Sequence, residues 1–504
     1  MEQPPIGTVI STEESPNSSE FSFVISENST VKKGQHVTVE TSEGKIIARV
    51  ADIVKTNRYF ERAESVREFE RSGKPVSEVF PAERWEYVVA EAAALGVYND
   101  GRLMRSAFPA SPGAKVFSAD CGLLEKFFGL DLEKGMLLGK VEHHDIEVKL
   151  NMTRLLQKHM AILAMSGAGK SYFTSVLLEE LLDRKKEHGQ MAVIVIDTHG
   201  EYIGFAEDRN FMGRSDVIIG DEFRISVPSL SSQMIAEFMP SMTSVQKREF
   251  GKLLARMKSE KKGKIFDMKD LLSYLENSEI KSTTKDILST FLVDLESTKM
   301  FSSYDNPPLD KLAKAGHLTI MDISDMTSQR EKQILVTYIA KKLFDARRSG
   351  EIPPFLLVVE EAHNFAPEGA RREAAISRNI IEKIAREGRK FHACLCLISQ
   401  RPVNLSTTSL SQCNTNIIMR VTNPYDLDHI GKTSEGLTND IMKSIPSLRV
   451  GEAIVVGEAV NFPLAIRVRE RTSKKNERGI PLEEAAVAFG ENCEKKKEDA
   501  AAFM

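Results

Sequence analysis

Met160-Ala161-Ile162-Leu163-Ala164-Met165-Ser166-Gly167-Ala168-Gly169-Lys170-Ser171 is an apolar strand running into a loop of small residues. Small side chains let backbone N–H groups turn inward on an anion, and a helix expected from Tyr172 to Lys186 aims its positive end at the same point. In such a loop Lys170 reaches the β- and γ-phosphates and the Ser171 hydroxyl holds Mg²⁺. Ser166, Gly167, Ala168, Gly169, Lys170, Ser171 and Tyr172 are therefore the candidate ATP-binding residues. The usual pattern opens with glycine, whereas position 164 is alanine. Alanine is tolerable there provided its φ is negative.

With 504 residues the chain should hold more than one domain, and 41% apolar residues suffice for real cores. A net charge of −4 excludes a globally basic nucleic-acid binder, so any such contact must come from a local patch. The five cysteines (Cys121, Cys394, Cys396, Cys413, Cys493) form no metal-spaced pair, and Cys394 and Cys396 point to one face of an apolar strand. An odd, scattered count suits a reducing cytosol. No apolar run approaches the ~18 residues a bilayer demands, and no signal-peptide pattern opens the chain, so a cytoplasmic protein without membrane contact is expected.

Residues 1–150 carry short alternating segments separated by turn formers, the pattern of a small antiparallel barrel with linker strands. A charged, helix-patterned stretch at 60–75 reads as an excursion from it. From residue 151, strands alternate with helices. The candidate strands are 160–163, 191–197, 318–323, 355–360, 393–399 and 416–421, which predicts an α/β core of mostly parallel sheet with helices on both faces, spanning 151–231 and 316–450. Residues 232–315 interrupt it with apolar residues at helical spacing (Leu271, Leu272, Leu275; Ile287, Leu288, Phe291, Leu292, Leu295), read as an inserted helical bundle. Strand-like pieces and a polar tail fill 451–504.

Phe355-Leu356-Leu357-Val358-Val359-Glu360-Glu361 is an apolar strand ending in two acids. A buried parallel strand delivers its last residues to the carboxyl edge of the sheet, where ligands bind. Glu360 is the candidate for the Mg²⁺ shell and Glu361 for polarising the attacking water. Roughly 190 residues separate them from Lys170, room for intervening strands. The next strand ends at Gln400, placed to sense the γ-phosphate. Asp197-Thr198-His199-Gly200-Glu201-Tyr202 closes another strand at the same edge, with Asp197 or Glu201 available to water or metal. Arg386 and Arg389 end a helix, where they either neutralise transition-state charge or simply favour the helix dipole.

These segments together resemble the HerA family of hexameric DNA-translocating ATPases, relatives of FtsK and of conjugation ATPases. The resemblance rests on 161–171, 197–202, Val359 to Phe365, 384–389 and 398–402, and extends over nearly the whole chain. It implies a RecA-like P-loop ATPase core, a HAS barrel at the N-terminus, ATP and Mg²⁺ as ligands, and a homo-hexamer with ATP between neighbours. It implies Glu361 as catalytic base and Arg386 as the cis arginine. Relatives also carry a trans-acting arginine about twelve residues before the loop lysine, where this chain has Lys158, with Arg154 one helical turn earlier. DNA contact is expected in the channel, with Arg371, Arg372 and Arg378 as candidates. A NurA-type nuclease partner and DNA double-strand break end resection complete what the resemblance implies. The alternative is a ring ATPase of the same core that moves protein or drives secretion or assembly.

Overall fold

The computed structural model describes residues 4–12, 15–57, 86–99, 101–261, 265–369 and 375–475, with single positions at 67, 71 and between 483 and 489. Most of the charged 60–75 stretch, Arg371, Arg372 and most of the tail lie outside the described residues. The chain divides into two compact units. One comprises residues up to Phe173 with Gln400–Val403 and Leu410–Glu470; the other comprises Thr174–Ser399, Asn404–Ser409 and the chain from Arg471.

In the first unit, six antiparallel strands close into a barrel. Lys115–Ser118 pairs with both Gly7–Ile10 and His36–Thr41. Gly44–Asn57 follows His36–Thr41, and Glu86–Asn99 pairs with Gly44–Asn57 and closes on Glu20–Ile25. A seventh, Arg102–Met104, hangs on Glu86–Asn99 as a hairpin. Alternation turns Val9, Phe21, Phe23, Val37, Val39, Ile46 and Val116 inward, none more than 1% exposed. Register shifts between Ile47 and Ala48 and between Val50 and Asp52 let the 14-residue Gly44–Asn57 strand bend around the closure.

The same unit holds a second sheet, ordered Met160–Leu163, Thr415–Ile418, Glu452–Gly457, Leu464–Val468, Met136–Val141, Glu147–Leu150. Its first pair is parallel and the rest antiparallel. The strands within 136–150, expected as linker strands leading from the barrel to the phosphate loop, pair with the C-terminal strands. Gly139 explains the choice: a Cβ there would lie 2.1 Å from the Arg467 carbonyl oxygen, so only glycine permits that approach. The helix Cys121–Phe128 stands between barrel and sheet, capped by Asp120 at its start and by Gly129 (φ 71°) at its end. Phe127 stacks on Phe462 at 4.3 Å and Phe128 meets His36 edge-on at 5.1 Å.

The second unit is built on five parallel strands, ordered Ser215–Ile219, Leu318–Asp322, Ala192–Asp197, Phe355–Val359, Ala393–Ser399. The inner strands are buried along their whole length and mostly apolar because both sheet faces are covered, with Asp197 and Asp322 at their carboxyl ends. Cys394 and Cys396 are buried within this sheet and not joined in a disulfide, as packing residues should be. The inserted segment forms helices Ser232–Phe238, Ser244–Glu260, Met268–Glu276 and Ser282–Ser297. Capping boxes at Thr243/Gln246 and Asp267/Asp270 set two of the starts. Leu254, Met257, Leu271, Leu275, Leu288, Leu292 and Leu295 form the seam, whereas Ile287 is 42% exposed. Beyond Glu470 the chain is pinned here. The buried Glu179 Oε1 accepts from Thr472 N, Ser473 N and Ser473 Oγ at 2.9, 2.7 and 2.7 Å.

Candidate active site

In the first unit the loop after Met160–Leu163 has the shape an anion needs. Gly167 and Gly169 sit at φ 75° and 104°, turning successive amides in one direction. A side chain on Gly169 would meet Met419 Cε at 3.2 Å, a tight contact the methionine end can relieve, so it is φ that favours glycine there. Ala164 has no positive φ and is fully buried, so alanine replaces the usual glycine without strain. The helix begins at Lys170 and runs to Leu182, two residues earlier at its start than expected, with Phe173 N bonded to Gly169 O at 2.9 Å. Lys170 and Ser171 are half-buried; Ser166, Gly167 and Tyr172 are exposed. Beside them lies a cavity of about 540 Å³, lined by Gly169, Tyr172, Val450, Gly451, Lys140, Arg467 and Arg469 among others. Its size suits a nucleoside, and its basic and aromatic walls suit one carrying phosphates.

In the second unit the carboxyl edge of the parallel sheet collects Asp197, Asp322, Glu360 and Ser399, all at most 3% exposed. Glu360 Oε2 accepts from Thr198 N and Thr198 Oγ1, both at 3.1 Å, and Oε1 accepts from the Tyr202 hydroxyl at 3.3 Å. Asp197 has another task. Its Oδ1 accepts from the amides of His199, Gly200 and Glu201 and its Oδ2 from that of Tyr202, at 2.7–3.2 Å. These bonds fold the 198–202 loop. Burial, then the neighbouring Asp197 and Glu201 carboxylates, push the Glu360 carboxyl well above the usual range. Glu201 Oε2 is buried without a hydrogen-bond partner.

Crowded, hard oxygen donors of one sign are what a divalent cation relieves, so the donor set fits Mg²⁺. Among the described residues no group of three or more His, Cys, Asp or Glu side chains forms a metal cage. Mg²⁺ ordinarily needs only one or two protein oxygens besides water and phosphate.

Glu361 sits in the left-handed region, φ 48° and ψ 45°, rare for a residue with a Cβ. It is 5% exposed; its Oε1 lies 3.8 Å from His199 Nε2 and its Oε2 3.3 Å from His363 Nδ1. Gln400 directly follows the Ala393–Ser399 strand and is half-buried. Arg386, in the last turn of helix Arg378–Glu387, keeps a 56% exposed side chain with Glu382 at 3.9 Å.

Other basic candidates are placed differently from their sequence reading. Arg378 is 3% exposed, with Nε donating to Glu382 Oε1 at 2.7 Å and Nη2 3.7 Å from Glu368. It is an internal ion pair and not a surface offered to DNA. Arg154 donates to the carbonyls of Glu458 and Gly129 and to Asn461 Oδ1, which ties the start of the ATPase sheet together and leaves no free fork. Lys158 is 40% exposed and, among the described residues, its ammonium pairs with the equally open Glu458 at 2.9 Å. Thr198, Tyr202, His363 and the cavity wall of Lys140, Arg467 and Arg469 were not singled out by sequence. Adjacency to Asp197 and to Glu361 was the available signal for the first three; nothing signalled the wall.

A buried strand, a phosphate-cradling loop and an acid-tipped parallel strand define a P-loop ATPase. A family model described as "Helicase HerA, central domain" matches residues 135–343. The chain is 30% identical to "Probable helicase MJ1565" of Methanocaldococcus jannaschii, over 87% of this chain and 86% of that one. It is 27% identical to "DNA double-strand break repair helicase HerA" of Pyrococcus furiosus, over 89% of each. Among solved structures, VirB4 of Thermoanaerobacter pseudethanolicus is similar in fold, with TM-score 0.52 and 16% identity over 68% of this chain and 98% of that one. The chain belongs to the HerA family. No helix among the described residues is long and apolar enough to cross a membrane.

Proposed function

We propose that this protein is an ATP-driven DNA translocase or helicase that works as a homo-hexameric ring, with a NurA-type nuclease, in resecting DNA double-strand breaks in the cytoplasm. The observation that carries the motor reading is the phosphate loop with its two left-handed glycines, in a chain similar over most of its length to a protein named a double-strand break repair helicase. In this reading the amides of Ser166 to Gly169 and the Lys170 ammonium hold the β- and γ-phosphates. Ser171 and Glu360 hold Mg²⁺, which when bound neutralises phosphate charge. Tyr172 packs against the nucleoside. Glu361 orients the attacking water and takes its proton; Gln400 bonds the γ-phosphate and Arg386 neutralises the charge that develops. Lys158 serves a neighbour's ATP as a point charge, without the bidentate fork an arginine brings.

DNA contacts in this reading fall on phosphates and are sequence-tolerant, with Arg371 and Arg372 the remaining basic candidates. The test is steady-state ATPase with and without linear duplex DNA, at two salt concentrations, for wild type and Glu361→Gln. Stimulation that falls with salt and is lost in the variant supports a DNA motor. Hydrolysis indifferent to DNA points instead to a motor that moves protein.

A further inference from the structure

Resting on Glu361 as the base, we propose that His363 is its positioning residue and couples it to the strand that ends in the γ-phosphate sensor. His363 is 9% exposed, on the turn Ala362–Asn364 that follows Glu361. Its Nδ1 is hydrogen-bonded to Ser399 Oγ at 3.1 Å and lies 3.3 Å from Glu361 Oε2. That nitrogen has a single site for a proton or a lone pair; its hydrogen bond here goes to Ser399 Oγ, and Glu361 Oε2 is the competing oxygen beside it. With the proton on Nδ1 it donates to Glu361; with the proton on Nε2 it accepts from the Ser399 hydroxyl. The exchange changes the tautomer and leaves the net charge alone. Ser399 is fully buried and is the residue before Gln400, so a shift of Gln400 moves the oxygen that competes for the imidazole.

Two further observations give the link its purpose. Glu361 holds a left-handed backbone, and a strained residue stays in place only when its surroundings fix it. A base must also be aimed within a narrow range to be useful. The same imidazole lines a cavity of about 350 Å³ whose wall includes Gln329, Gln333 and Asn364. Gln329 and Gln333 both donate to the Asn364 carbonyl, at 3.1 and 3.0 Å, so the residue after His363 is clamped from the helix Gln329–Ser349. His363 therefore stands on a rigid turn, between the base and the sensor strand.

The test compares kcat and KM for ATP in wild type, His363→Ala, His363→Asn, Ser399→Ala and the His363→Ala/Ser399→Ala double variant. Asparagine keeps a donor near the place of Nδ1. The expected result is a kcat at least tenfold lower in His363→Ala with KM within twofold, substantial recovery in His363→Asn, and a double variant no worse than His363→Ala. A residue that merely supports the fold moves kcat and KM together, gains nothing from asparagine and adds to Ser399→Ala; any of these outcomes overturns the proposal. Wild-type hydrolysis that His363→Ala leaves unchanged overturns this role alone. A wild type that hydrolyses no ATP, with or without DNA, overturns the functional reading and this role with it.

Discussion

Glu361 adopts a conformation that costs a side chain on the order of 1–3 kcal/mol, and the fold keeps it there. Glycine suffers no such penalty, so Glu361→Gly and Glu361→Gln separate stability from chemistry. Glu361→Gln should lower kcat by about 10²–10⁴-fold while leaving ATP affinity intact. Glu361→Gly should be equally inactive and yet melt no lower than wild type. A melting temperature several degrees lower in the glycine variant would show that the carboxylate is needed to hold the turn. The two arginines of the helix Arg378–Glu387 make the opposite pair. Arg378 neutralises a buried Glu382, which also accepts from Ser406 Oγ at 2.7 Å. Arg378→Ala leaves that carboxylate with only Ser406 Oγ and the loosely placed Arg386 and should cost about 3 kcal/mol, read as a lower urea midpoint. Arg386→Ala removes an exposed, loosely paired group and should leave the midpoint unchanged while lowering kcat. The i,i+4 spacing of Arg378 and Glu382 was the clue that Arg378 is a structural residue, and a basic run in a loop obscured it. The left-handed turn at Glu361 had no counterpart in sequence, because no glycine marks it.

Among the elements, the barrel contains its own pH dependence. His36 is 1% exposed, its ring lies on Phe128, and neither ring nitrogen has a hydrogen-bond partner, while His144 Nε2 accepts from the His36 backbone amide at 3.1 Å. Burial, then the charges of His144, Arg49 and His143, hold the His36 imidazole down at about 3. The unfolded chain takes up that proton near pH 6.5 and the folded barrel refuses it, so stability is lost as pH falls below 6.5 and the loss continues towards pH 3. By pH 5 this amounts to about 2 kcal/mol, and His36→Leu should lessen the fall of the denaturation midpoint over pH 5–7, the remainder belonging to His144, which burial holds down at about 4. A variant with the wild-type pH slope would place the titrating group elsewhere. At this scale the sequence was most readable where burial is two-sided. Ala192–Asp197 is apolar up to its terminal Asp197 and Phe355–Val359 is apolar without interruption, and both are strands within a residue of expectation. The edge strand Ser215–Ile219 escaped notice because one neighbour and part-exposed residues leave no apolar signature. The strands Met136–Val141 and Glu147–Leu150 were recognisable as antiparallel strands, but alternation does not say which sheet a strand joins. That was decided by the backbone approach at Gly139, 328 residues before its partner Arg467.

For the whole molecule, the proposed ring raises the question of which basic group a neighbour would supply to the site. Arg154 is ill placed to be a mobile finger, given its three hydrogen bonds to Glu458, Gly129 and Asn461 and its place in the helix Met152–Leu156. The Lys158 ammonium is held, among the described residues, by Glu458, and both side chains are more than a third exposed, so the pair is worth little and breaks easily. If Lys158 acts in trans, two dead variants should repair one another. A ring of Lys158→Ala lacks the cation at every site, and a ring of Glu361→Gln lacks every base. In a mixed ring, an interface that takes Lys158 from a Glu361→Gln subunit and Glu361 from a Lys158→Ala subunit is complete. Random assembly makes about one interface in four of this kind. Mixing the two variants after subunit exchange should therefore return roughly a quarter of wild-type turnover, provided neighbouring sites fire independently. Mixtures that stay as inactive as their components would mean that Lys158 serves its own subunit, since a group acting in cis cannot be supplied by a neighbour.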